Sequence, residues 1–119
     1  MAKYERCFQG RIEDVLSFCE KIVMEESMTS SFEGGSDFEF GDTRVAVRVY
    51  ERYSGIGGNR VSLNLTVVAN EQRICVSAIT SGGSQAMFWK INTWGEEAFL
   101  ETLSQALDDF VEKNSGNIG

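Results

Sequence analysis

Five arginines, Arg44, Arg48, Arg52, Arg60 and Arg73, recur at strand-compatible spacing in a stretch nearly free of acid. Guanidinium forks take carboxylates and phosphates bidentately. Tyr50 and Tyr53 lie among them, and two glycine-rich segments, Gly55-Ile56-Gly57-Gly58-Asn59 and Ser81-Gly82-Gly83-Ser84, flank the run. Arg52, Tyr53, Arg60, Ser81 and Ser84 could therefore make an anion site from guanidinium groups and backbone N–H groups. Neither glycine segment is a nucleotide loop: the first has Arg60 where the third glycine of G-x-G-x-x-G would stand and lies between strands, and the second has no lysine at P-loop spacing. A second chemistry would use Ser81, Ser84 or Cys75 as a nucleophile beside Lys90, as a small hydrolase or transferase does. It lacks an evident base, because the chain has no histidine. No metal site and no cofactor is expected.

Alternation sets the elements that must carry these groups. Val45, Val47 and Val49 alternate with Arg44, Ala46, Arg48, Tyr50 and Arg52; Val61, Leu63, Leu65 and Val67 alternate with Arg60, Ser62, Asn64 and Thr66; Ile74, Val76 and Ala78 alternate with Arg73, Cys75, Ser77 and Ile79. Centring the first hairpin on Ile56 sets Val49 opposite Leu63, and centring the second on Asn70-Glu71 sets Val67 opposite Ile74, so every apolar residue meets another. That register puts all five arginines, with Tyr50, Asn64 and Lys90, on one polar face. Glu39 opposite Arg44 and Asp37 diagonal to Arg48 answer part of the repulsion.

Upstream, Lys3 to Phe8 suits an edge strand. Ile12, Val15, Leu16, Cys19, Ile22 and Val23 follow helical periodicity and end near Glu25-Glu26. Gly34-Gly35-Ser36 breaks or bulges the next strand, and Gly41-Asp42 closes a hairpin. Ala86 to Ile91 reads as a returning strand. Thr93-Trp94-Gly95-Glu96 matches a capping box, followed by the stripe Phe99, Leu100, Leu103, Leu107, Phe110 and Val111. The expected architecture is one α+β domain over 1–113, with 114–119 a frayed tail. An antiparallel meander carries two helices on one face, packed on Val45, Leu63, Leu65 and Val76, in the order β-α-β(4-5)-α. This plan resembles the TATA-binding-protein-like and helix-grip folds.

The 119 residues carry a net charge of −7, which argues against nucleic acid as a partner. No apolar run approaches a membrane span and no signal-peptide core follows the N-terminus, so a cytoplasmic protein is expected. Cys7, Cys19 and Cys75 form no CxxC pair and read as small buried hydrophobes. Three readings of the arginines stand side by side: a solvated face, a face for an acidic partner or a second copy in a homodimer, and a site for a small anionic ligand. The latter two describe a non-enzymatic binding or self-associating module.

Val49-Tyr50-Glu51-Arg52-Tyr53, Gly57-Gly58-Asn59-Arg60-Val61-Ser62-Leu63, Ser77 to Gln85 and Gly95-Glu96-Glu97-Ala98-Phe99-Leu100 resemble a small family of uncharacterised domains from Gram-positive bacteria. The resemblance spans nearly the whole chain and implies a single domain of unknown function, with no catalytic residues to carry over.

Overall fold

The computed structural model describes residues 2–25, 29–53, 60–82 and 89–118, with side chains over 99–113 of the last segment. Five strands, β1 (Ala2–Gln9), β2 (Ser30–Phe40), β3 (Thr43–Tyr53), β4 (Arg60–Asn70) and β5 (Arg73–Gly82), form one antiparallel sheet in the order β1-β5-β4-β3-β2. Helix α1 (Ile12–Glu25) follows β1, and α2 (Trp89–Ile118) follows β5. The α+β meander expected from alternation is the observed one. The first strand, whose place alternation leaves open, closes the sheet beside β5.

Each helix has one apolar stripe, so both lie on the same side of the sheet. Ile12, Val15, Cys19 and Val23 of α1 join Phe99, Leu100, Leu103 and Leu107 of α2 in a single core with Ala46, Tyr50, Leu63, Leu65, Val67, Ile74, Val76 and Ala78. The start of α1 is fixed as the carbonyl of Arg11 accepts from the Val15 N–H at 3.1 Å, while the Gly10 N–H donates to the Gln72 carbonyl at 2.8 Å. Cys19 is sealed in this core, and burial pushes its thiol up to about 12, so it stays a neutral hydrophobe.

The sheet face that meets the helices differs from expectation in β3. Tyr53 pairs with Arg60, Tyr50 with Leu63 and Ala46 with Val67, a one-residue offset from the hairpin centred on Ile56. Such an offset turns every side chain of a strand to the other face. Ala46 and Tyr50 therefore enter the core, Tyr50 at 1% exposure, while Val45, Val47 and Val49 point away from the helices. Two apolar sets compete for the inside of β3, and the ring of Tyr50 fills more of it than a valine can. Of the arginines on the Tyr50 side, Arg44 and Arg48 meet carboxylates while Arg52 lies against the ring of Phe99.

The remaining strands agree more closely. Phe38 pairs with Val45 and Glu39 with Arg44 as expected, and the break near Gly34 is a bulge between Phe32 and Gly34. Gly35 has a reason to lack a side chain, since a Cβ there would sit 2.7 Å from the Val47 carbonyl oxygen. The turn between β4 and β5 falls at Glu71-Gln72, so Val67 meets Val76 rather than Ile74; this two-residue offset leaves both faces unchanged. Trp89 to Ile91, expected as strand, begins α2, so Thr93 lies inside the helix rather than capping its start, and the helix runs past Lys113 through Ile118, where a frayed tail was expected. Residues 86–88 of that expected strand lie outside the described residues.

Tyr4 and Arg6 fasten β1 to α2. Both donate to Asp108 Oδ1, each at 2.6 Å. The Tyr4 hydrogen bond, then the Arg6 guanidinium, hold the Asp108 carboxyl below the usual carboxylate range. A carboxyl lowered on folding stabilises above its unfolded value and loses that contribution as pH falls through the folded one. Asp108→Asn should therefore reduce stability at neutral pH by under about 1 kcal/mol, the group being partly exposed. Urea titrations of the two proteins should converge below about pH 3.

Candidate functional site

The face away from the helices is the sheet's open surface, and its composition follows from the register. Phe38 pairs with Val45, Val45 with Val68, Val68 with Cys75 and Cys75 with Cys7. One apolar row thus crosses all five strands. Phe38 is 52% exposed, Val68 38%, and Phe40 beside them 73%. Val47 and Val49 extend the row along β3, and Ile79 adds to it on β5.

The cysteines at the end of this row depart from expectation. Cys7 and Cys75 are exposed and joined by a disulfide across directly opposed positions of β1 and β5. Period two gave the signal: both residues hold the polar phase of their strands. The bond also removes Cys75 as a thiol nucleophile beside Lys90.

Charges on the open face pair off. Arg60 meets Glu51 as an ion pair, has Glu33 at 4.0 Å, and lies over the Tyr53 ring at 5.4 Å. Lys3 reaches Glu5 at 3.8 Å. With exposed Arg73, three cations thus stand against Glu5, Glu33 and Glu51 on a chain whose net charge is −7. The acid surplus lies on the helices, in Glu13, Asp14, Glu20 and Glu25 of α1 and Glu101, Asp108, Asp109 and Glu112 of α2.

The five arginines are divided between opposite faces, which overturns the single Arg-rich outer face. Arg60 and Arg73, with Tyr53, Asn64 and Ser81, are on the open face; Arg44, Arg48 and Arg52, with buried Tyr50, are on the helix side. Arg44 binds Glu13 of α1 and has Glu39 at 3.5 Å, and Arg48 binds Asp37 at 3.0 Å. These acids sit on the same side as their arginines, so the repulsion expected between guanidinium groups is answered locally. The charged margin also lines a 310 Å³ depression with Ile12, Asp37, Glu39 and Arg44 on its walls. Arg52 has a different environment, against the ring of Phe99. Burial raises the Tyr50 hydroxyl to about 12, and Tyr50 packs edge-on against Phe32 with ring centres 5.6 Å apart. Lys90 belongs to the backbone of α2, and Ser84 lies outside the described residues, as does the glycine loop 55–59.

A family model for a family of unknown function, DUF6054, matches residues 1–111. The chain belongs to DUF6054. This match takes in the whole DUF6054 sheet, both faces, α1 and most of α2. Searches of curated proteins and of solved structures find no match to the DUF6054 chain. Among the described residues, no helix is long and apolar enough to cross a membrane.

Proposed function

We propose that this domain is a non-enzymatic self-associating module whose open sheet face packs against the same face of a second copy. The observation that carries the reading is the apolar row Phe38, Val45, Val68, Cys75 and Cys7, which helices leave uncovered. Charge favours a second copy over an acidic partner. The face is balanced where the rest of the chain is acidic, so two copies meet there with their like-charged helices pointing apart. Five strands about 4.8 Å apart and about 33 Å long offer roughly 800 Å², which is about what one partner contributes to a stable interface. Two such faces pack as aligned sheets, with the β3 valines interdigitating.

Sedimentation of the full chain at roughly 100 µM tests this. The wild type should sediment as a dimer, and Val45→Lys as a monomer with unchanged circular dichroism. Salt should leave the dimer intact, because apolar burial rather than ion pairing holds it. A wild type that stays monomeric, or a Val45→Lys protein that still dimerises, defeats the reading.

A further inference from the structure

The Cys7–Cys75 disulfide joins two exposed residues on the face away from both helices. Exposed disulfides are the labile ones, opened when a thiolate attacks one sulfur in line with the bond and the other sulfur leaves. The two sulfurs here are not equivalent. Cys7 belongs to β1, an outer strand with no described strand beyond it, so a nucleophile reaches its sulfur from the open edge of the sheet. The line of attack on Cys75 comes from the other side, where Val68 of β4 stands at the paired position on the same face. Charge points the same way. Arg73 lies two residues from Cys75 on the open face, whereas Glu5, paired with Lys3, lies two residues from Cys7. A departing thiolate is stabilised beside a cation and not beside a carboxylate, which makes Cys75 the better leaving group.

We infer that the Cys7–Cys75 bond is an exchange site for a small thiol, opened at Cys7 in a single copy of the chain and shielded when two copies pair. The attacking thiolate forms a bond to the Cys7 sulfur as the Cys7–Cys75 bond breaks, and the electron pair leaves on Cys75. The products are a mixed disulfide on Cys7 and a thiolate on Cys75. One disulfide is consumed and one is made, so the step needs no oxidant. Closure is the reverse: the register keeps Cys75 opposite Cys7, and its thiolate expels the small thiol. The fold survives opening, since Tyr4 and Arg6 still hold β1 to Asp108. Cys7 and Cys75 also end the apolar row assigned to self-association, and a face packed on a second copy admits no nucleophile. The shielding therefore rests on the self-association reading; exchange in one copy does not.

The test incubates the full chain with glutathione, quenches with iodoacetamide, and locates both groups by peptide mass spectrometry. Val45→Lys, expected to be monomeric, should carry glutathione on Cys7 and the alkyl group on Cys75, at least about fivefold over the reverse pattern. In that background Val68→Ala should remove most of the preference, and Arg73→Gln should slow opening roughly two- to threefold. The wild type at roughly 100 µM should be trapped at least about tenfold more slowly than Val45→Lys. If Val45→Lys fails to fold, Phe38→Lys takes its place, Phe38 being in the same row at 52% exposure. No trapped adduct in the monomeric variant, or adducts chiefly on Cys75, overturns the exchange site. Equal rates in a wild type that sediments as a dimer overturn the shielding. Equal rates in one that sediments as a monomer overturn self-association and leave the exchange site standing.

Discussion

Reduction of the Cys7–Cys75 disulfide should lower the unfolding free energy by about 4 kcal/mol, the chain-entropy value for a loop of this length. The bond spans a sequence separation of 68 and joins the first strand to the last, so it encloses α1 and β2 through β4. In the unfolded chain that closure removes many conformations; in the folded one the two residues already face each other across a ladder. The edge strand β1 would still be tied by Tyr4 and Arg6 to Asp108, which is why the reduced protein should fold, only less stably. Urea denaturation with and without a thiol reductant, repeated on the Cys7→Ser, Cys75→Ser double variant, measures the difference. Equal midpoints in all samples would show that the bond contributes nothing.

Leu65→Ala should cost about 3 to 5 kcal/mol, the range for emptying a buried leucine site that cannot collapse. Leu65 is 0% exposed at the middle of β4, the central strand, under both helices. Its register neighbours are Ala78 on β5 and Arg48 on β3. The first is too short to fill the space and the second is held by Asp37. Val47→Ala makes the informative comparison, because alternation alone assigns both residues to the same interior. On the open face Val47 should cost under about 1 kcal/mol in a dilute monomer. Equal losses for the two variants would reverse the face assignment of β3.

That comparison also locates what alternation can and cannot reveal. Period two separated the two faces of every strand, and the single stripe on each helix correctly placed both helices on one side. Alternation put the wrong face of β3 inward, because Val45, Val47 and Val49 are the more regular apolar set and the opposing set holds Ala46 and Tyr50 among arginines. The choice depends on the length of the β3–β4 connection and on how well a tyrosine ring fills the space under α1, both tertiary matters. Glu39 and Asp37 were rightly placed beside Arg44 and Arg48, since the Gly41-Asp42 turn fixes that hairpin locally. Arg52 was singled out for its charge, but its stacking on Phe99, 47 positions later in the chain, is invisible without the fold. The disulfide was legible in part: Cys7 and Cys75 occupy polar phases, yet their adjacency needed the place of β1 in the sheet.

The bulge in β2 limits how large an assembly can become. A straight outer strand would let further chains add along its exposed backbone without end, whereas β2 is interrupted at Glu33, carries Gly34 and Gly35, and bears Asp37 and Glu39 towards its end. Lateral growth is thereby discouraged, and a contact between identical surfaces uses up both when it forms. Pairing through the broad side, as proposed, would therefore stop at two copies, giving a discrete particle instead of a filament.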